Sequence, residues 1–61
     1  MIYIETREGE DKPWNLVIDM KKSISMPVPR EFNTEEEALA FSEYLKKEVK
    51  LTAENIRIVE E

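Results

Sequence analysis

The amino-acid sequence predicts an α+β two-layer sandwich of order β-β-(β)-α-β. One antiparallel-rich sheet of three to four strands carries a single helix on one face. The prediction rests on period and length. Residues 34–49 repeat their apolar positions with the helical period, and runs before and after them alternate with the strand period. The chain has 61 residues, enough for one domain spanning 1–61 and one shared core.

The helix has a start, a body and an end written into it. Thr34 is a suitable N-cap, because its hydroxyl can accept from a free amide of the first turn. Glu37 stands where its carboxylate can reach back to the Thr34 amide, completing a capping box. Glu35, Glu36 and Glu37 set negative charge against the positive end of the helix dipole, and Lys46, Lys47 and Lys50 lie at the other end. This reads the acidic run as a solvated, dipole-compensating first turn rather than a metal site. No Gly or Pro interrupts the body. Ala38, Phe41, Leu45 and Val49 share one face, with Leu39 and Tyr44 flanking it. Ser42 falls near that face as a small satisfied residue. Glu43 precedes Lys47 by one helical repeat, the favourable order for a surface ion pair.

The strand runs are shorter. In residues 1–8, Ile2, Ile4 and Thr6 alternate with Tyr3, Glu5 and Arg7. A polar turn at 9–13, punctuated by Gly9 and Pro13, leads to Trp14, Leu16, Ile18 and Met20 alternating with Asn15, Val17 and Asp19. Together these predict an antiparallel hairpin. Residues 21–23 read as a second turn. Ile24, Met26 and Val28 form a third alternating set, which Pro27 and Pro29 restrict to a short edge strand or an extended connector. After the helix, Leu51 is expected to pack from a connection onto the core. Residues 55–60 read as the last strand, with Ile56 and Ile58 opposite Arg57 and Val59. The expected core is Ile2, Ile4, Leu16, Ile18, Met20, Ala38, Phe41, Leu45, Val49, Ile56 and Ile58, with Trp14 and Phe32 capping its ends.

Composition narrows the function. There is no Cys, so neither disulfides nor thiolate metal sites add stability, and a reducing cytoplasm is compatible. There is no His, which removes the commonest general base and leaves Ser23, Ser25 and Ser42 without an activating partner. Gly9 is the only glycine, too few for a phosphate-cradling loop. Glu8, Glu10 and Asp11 lack the spaced oxygen ligands of a calcium loop and read as a polar hairpin tip. A chain this small has little room for the desolvated cleft that carboxylate catalysis requires. The expectation is therefore no enzyme, no metal and no cofactor. No apolar run is long enough to span a bilayer, and the start M-I-Y-I-E-T-R-E lacks the pattern of a signal peptide, so a soluble cytoplasmic protein is expected.

The net charge is −5. Residues 34–61 carry eight Glu against Lys46, Lys47, Lys50 and Arg57, a net −4, while residues 1–33 are nearly balanced. Such acidity disfavours general binding to nucleic-acid phosphates. Lys21, Lys22 and Arg30 form the one basic cluster without an acid inside it, which reads first as a solubilising turn.

Phe32 together with T-E-E-E-A-L-A-F at 34–41 resembles the start of the helix in the arm-type DNA-binding domains of phage integrases. Those domains also place a helix after three short strands, and the resemblance implies a sheet face that enters a DNA major groove. It covers the start of the helix and the coarse order of elements. The final strand and the acidic balance depart from it.

The leading expectation is a small non-enzymatic interaction or self-associating module, of a kind that phage and accessory genes encode. If Ile2, Ile4, Leu16, Ile18, Ile56 and Ile58 face the helix, strand alternation turns Tyr3, Val17 and Val59 outward among Arg7 and Arg57. An apolar centre with a charged rim suits a protein partner or a second copy. Competing expectations are a nucleic-acid binder using Lys21, Lys22 and Arg30 with the sheet arginines, and an acidic inhibitor that mimics nucleic acid.

Overall fold

The computed structural model describes residues 1–22 and 24–61; the part of the expected second turn that falls on Ser23 lies outside them. Strand β1 (Ile2–Thr6) forms a hairpin with β2 (Asn15–Leu16), helix α1 (Glu35–Tyr44) follows, and β3 (Ile56–Glu60) ends the fold. The sheet has three strands in the order β2-β1-β3, with both pairings antiparallel. The helix packs on one face of it, touching β1 and β3. This is the α+β two-layer arrangement that the periodicities predict.

β1 is the central strand, and its even-numbered residues face the helix. Ile4 opposes Ile58 and is fully buried; Phe32, Ala38 and Leu45 complete the buried apolar core. Ile2, Val17, Phe41, Leu51, Ile56 and Ile58 pack around it. Phe32 is thus a core residue rather than an end cap: its N–H donates to the Ile2 carbonyl at 2.8 Å, which draws its ring under the helix.

β2 corrects the expected parity. Its register pairs Glu5 with Leu16 and Thr6 with Asn15, which brings Val17 beside Ile4; the Val17 N–H donates to the Ile4 carbonyl at 2.8 Å. Val17 therefore belongs to the core side and is not a candidate partner-binding residue. Leu16 and Ile18, 41% and 38% exposed, lie outside the buried core, and Met20 is more exposed still. A strand's side-chain period of two means that a one-residue change of register exchanges its faces. The polar residues of the inward set tolerate this because β2 is so short. The Asn15 amide donates to the Pro13 carbonyl, and an Asp19 carboxylate oxygen accepts from the Lys21 and Lys22 N–H groups. Only Val17 needs room in the core.

The third alternating set forms no strand. Residues 24–26 are bends rather than an extended run, and the connector is held at its end by a bridge between Ile18 and Pro29, with Asp19 N–H donating to Val28 and Arg30 N–H to Val17. Ile24 and Met26 are exposed.

The helix starts as its sequence requires: the Glu37 N–H donates to the Thr34 hydroxyl oxygen at 3.2 Å. The reciprocal carboxylate bond goes to the Asn33 N–H at 3.3 Å, one residue before the expected Thr34 amide. Ser42 is buried and donates to the Leu39 carbonyl at 2.8 Å. Beyond Tyr44 the chain widens into a π-helical turn, Leu45–Val49. The larger turn changes the angular spacing of its residues. Val49 is consequently 55% exposed instead of buried, and Glu43 pairs with Lys46 at 3.2 Å rather than with Lys47.

The π turn ends on Lys50, the only non-glycine residue with positive φ among those described (φ 62°, ψ 32°), whose N–H donates to the Leu45 carbonyl. An L-residue with a Cβ is disfavoured there by about 1–2 kcal/mol, a cost glycine avoids. Glycine also loses more backbone entropy on folding, which offsets part of the gain. Lys50→Gly is expected to stabilise the fold by about 0.5–1 kcal/mol. Chemical denaturation checks this, and a destabilised variant would mean that the helix does not end in this conformation.

Candidate interaction surface

The sheet face away from the helix is built by odd-numbered residues of β1 and β3. Tyr3 is paired with Val59, and Glu5 lies between Arg57 on one side and Leu16 on the other. The Arg57 Nε–H donates to a Glu5 carboxylate oxygen at 2.7 Å. At one end of the face Trp14 lies between two arginines, with the Arg57 guanidinium carbon 4.2 Å and that of Arg7 4.6 Å from its ring centre. Arg7 also donates from Nε to the Asn55 side-chain oxygen at 3.0 Å and from Nη2 to the Glu54 carbonyl at 3.2 Å. It thereby ties the hairpin to the turn before β3. Two cation–π contacts give Trp14 its place on this face, where cation and ring stay partly hydrated and each contact contributes about 0.5–1 kcal/mol.

The opposite end of the face is acidic. The Tyr3 hydroxyl is raised above its ordinary pKa, first by partial desolvation on the sheet face. The negative charges of Glu31 and Glu61 add to this, and the hydroxyl hydrogen-bonds to Glu31.

Of the residues singled out in the sequence, Tyr3, Val59, Arg7 and Arg57 are thus brought together on one face, and Val17 is not. Trp14 and Leu16 belong to the face, although alternation alone puts Leu16 in the core and Trp14 at its end. The signal that could have placed Trp14 is the pair of odd-numbered arginines on the neighbouring runs.

A second concavity lies beside the helix, a shallow groove of about 740 Å³ bordered by Ile18, Met20, Phe32, Phe41 and Tyr44. Phe41 links Phe32 and Tyr44 in an aromatic row, with centroid separations of 5.5 and 5.6 Å. The Arg30 guanidinium lies over this row, 4.9 Å from the Phe41 centre and 5.5 Å from that of Phe32. Of the basic cluster, Lys21 and Arg30 line this groove and Lys22 does not. Among the described residues no group of three or more acidic side chains is placed to hold a metal ion, and no helix is long and apolar enough to cross a membrane.

No known family model, no curated protein and no solved structure matches this chain.

The raised phenol of Tyr3 gives the face a titration signature. The folded state holds the proton more tightly than the unfolded chain. This contribution to stability is fully present below the unfolded value of 10.0 and is lost as pH rises through the folded pKa. With Tyr44 replaced by Phe, tyrosinate absorbance reports Tyr3 alone. Glu31→Gln in that background is expected to lower the Tyr3 pKa toward its ordinary value, because it removes a negative charge and leaves only a neutral amide oxygen to accept from the phenol. An unmoved titration would place Glu31 away from Tyr3.

Proposed function

We propose that this chain is a small, non-enzymatic protein-interaction module whose working surface is the open face of the sheet. The observation that carries the reading is the composition of that face. Tyr3, Leu16, Val59 and Trp14 lie together on a side that α1 does not cover, with Arg7, Arg57 and Glu5 among them. Aromatic residues and arginine are the types enriched at protein contacts. The arginines are held by Trp14, Glu5 and Asn55, so less side-chain entropy is lost when a partner docks. The partner that fits is a protein presenting an apolar strip to Tyr3, Leu16 and Val59.

Tyr3→Ser combined with Leu16→Thr tests this, because both changes fall on the face and leave Val17 and the core alone. Circular dichroism should show a retained fold, and a partner captured by the parent chain from its native host should be lost. Capture of the same partner by the folded double variant would contradict the reading.

A further inference from the structure

The two edges of the sheet are finished differently. On the β2 side the chain returns over residues 28–30, with Pro29 in that return and Pro27 just before it. Proline cannot donate to a further ladder, so this edge is closed to another strand. On the other side β3 is five residues long, contains no proline, and among the described residues has no strand beyond it.

The hydrogen-bond pattern shows which groups β3 presents. The Arg7 N–H donates to the Asn55 carbonyl and the Glu61 N–H to the Met1 carbonyl, so odd-numbered residues of β3 bond to β1. In an antiparallel ladder the alternate residues point the other way. Ile56, Ile58 and Glu60 therefore direct their backbone groups off the open edge. The Ile56 N–H turns back to the Ala53 carbonyl. Among the described residues, none bonds the Ile56 carbonyl, the Ile58 N–H and carbonyl, or the Glu60 N–H.

That set is self-complementary. A second β3 run antiparallel about a two-fold axis at Ile58 would exchange N–H and carbonyl between the two Ile58 residues. It would also join each Glu60 N–H to the other copy's Ile56 carbonyl. Those bonds use the donors left open by the fold and leave the Ile56 N–H in its own turn. The side chains beside the edge suit the same arrangement. A small groove of about 200 Å³ runs between the helix and β3, bordered by Leu39, Ile56 and Ile58, and Leu39 is 51% exposed beside it. We propose that a second copy of this chain pairs with β3 along this edge, giving a continuous six-stranded sheet with Leu39 of each copy beside the junction. The proposal rests on reading the chain as an interaction module but uses the edge of the sheet, not its face. It places two copies of the Tyr3–Trp14 face side by side and adds the burial that a chain of this length lacks.

The chain is short enough for total chemical synthesis, so the Ile58 amide nitrogen can be methylated with every side chain unchanged. The full chain and this variant are compared by sedimentation equilibrium and by amide hydrogen exchange. The parent should be dimeric, with the Ile58 and Glu60 amides exchanging more slowly as concentration rises. N-methylation should weaken dimerisation by about tenfold or more, since each copy loses its central bond. Leu39→Lys, on an exposed helical position, should do likewise with the fold intact by circular dichroism. A parent chain that is monomeric at its highest soluble concentration overturns the edge pairing. A dimer indifferent to both changes but dissociated by Tyr3→Ser with Leu16→Thr also overturns it, and assigns self-association to the face. A monomer that still loses a captured partner on that double change would leave the proposed function standing and remove only the edge pairing.

Discussion

Ile4 is the residue around which this small domain closes. Its side chain is fully buried between the helix and the sheet, and its strand neighbour Ile58 packs against the same core. Its carbonyl takes the N–H of Val17, so the same residue that anchors the core also sets which face β2 turns inward. Full burial of such a side chain contributes about 1.5–3 kcal/mol, a large share of what a domain of this size can retain. The sheet is built outward from this position, with β2 and β3 both pairing to β1 rather than to each other.

The helix was legible because its determinants are local. Thr34 caps it, Glu37 reaches back, and Ala38 and Leu45 are buried where the helical period puts them. β1 and β3 were legible because Ile2, Ile4, Ile56 and Ile58 leave one sensible choice of inward face. The second run was misread because its more apolar set does not face the core. What decides its parity is not in the run itself: Trp14 gains the flat faces of Arg7 and Arg57, and the strand is too short for Asn15 and Asp19 to be buried by the exchange. The π turn at Leu45–Val49 had no local signal either. It moves Val49 outward and gives Lys46 the ion pair expected of Lys47.

The same parity determines what the molecule can present. With Val17 inside, the apolar members of the outer face are Tyr3, Leu16, Val59 and Trp14, and the charged members are already engaged by Trp14, Glu5 and Asn55. The proposed contact surface rests on these ordered arginines and the apolar strip beside them. The basic cluster is divided in a comparable way. Arg30 lies on the aromatic row of the groove, and the backbone at Lys21 and Lys22 is turned by Asp19.

The orientation of β2 about Ile4 is therefore the claim on which both the core and the proposed surface stand. Nuclear Overhauser contacts in the isotope-labelled chain measure it directly. The structure predicts contacts from the Val17 methyls to Ile4 and from the Trp14 indole to the side chains of Arg7 and Arg57, with the Leu16 methyls near Glu5. Leu16 methyls in contact with Phe41 or Leu45, and a Trp14 indole remote from both arginines, would contradict it.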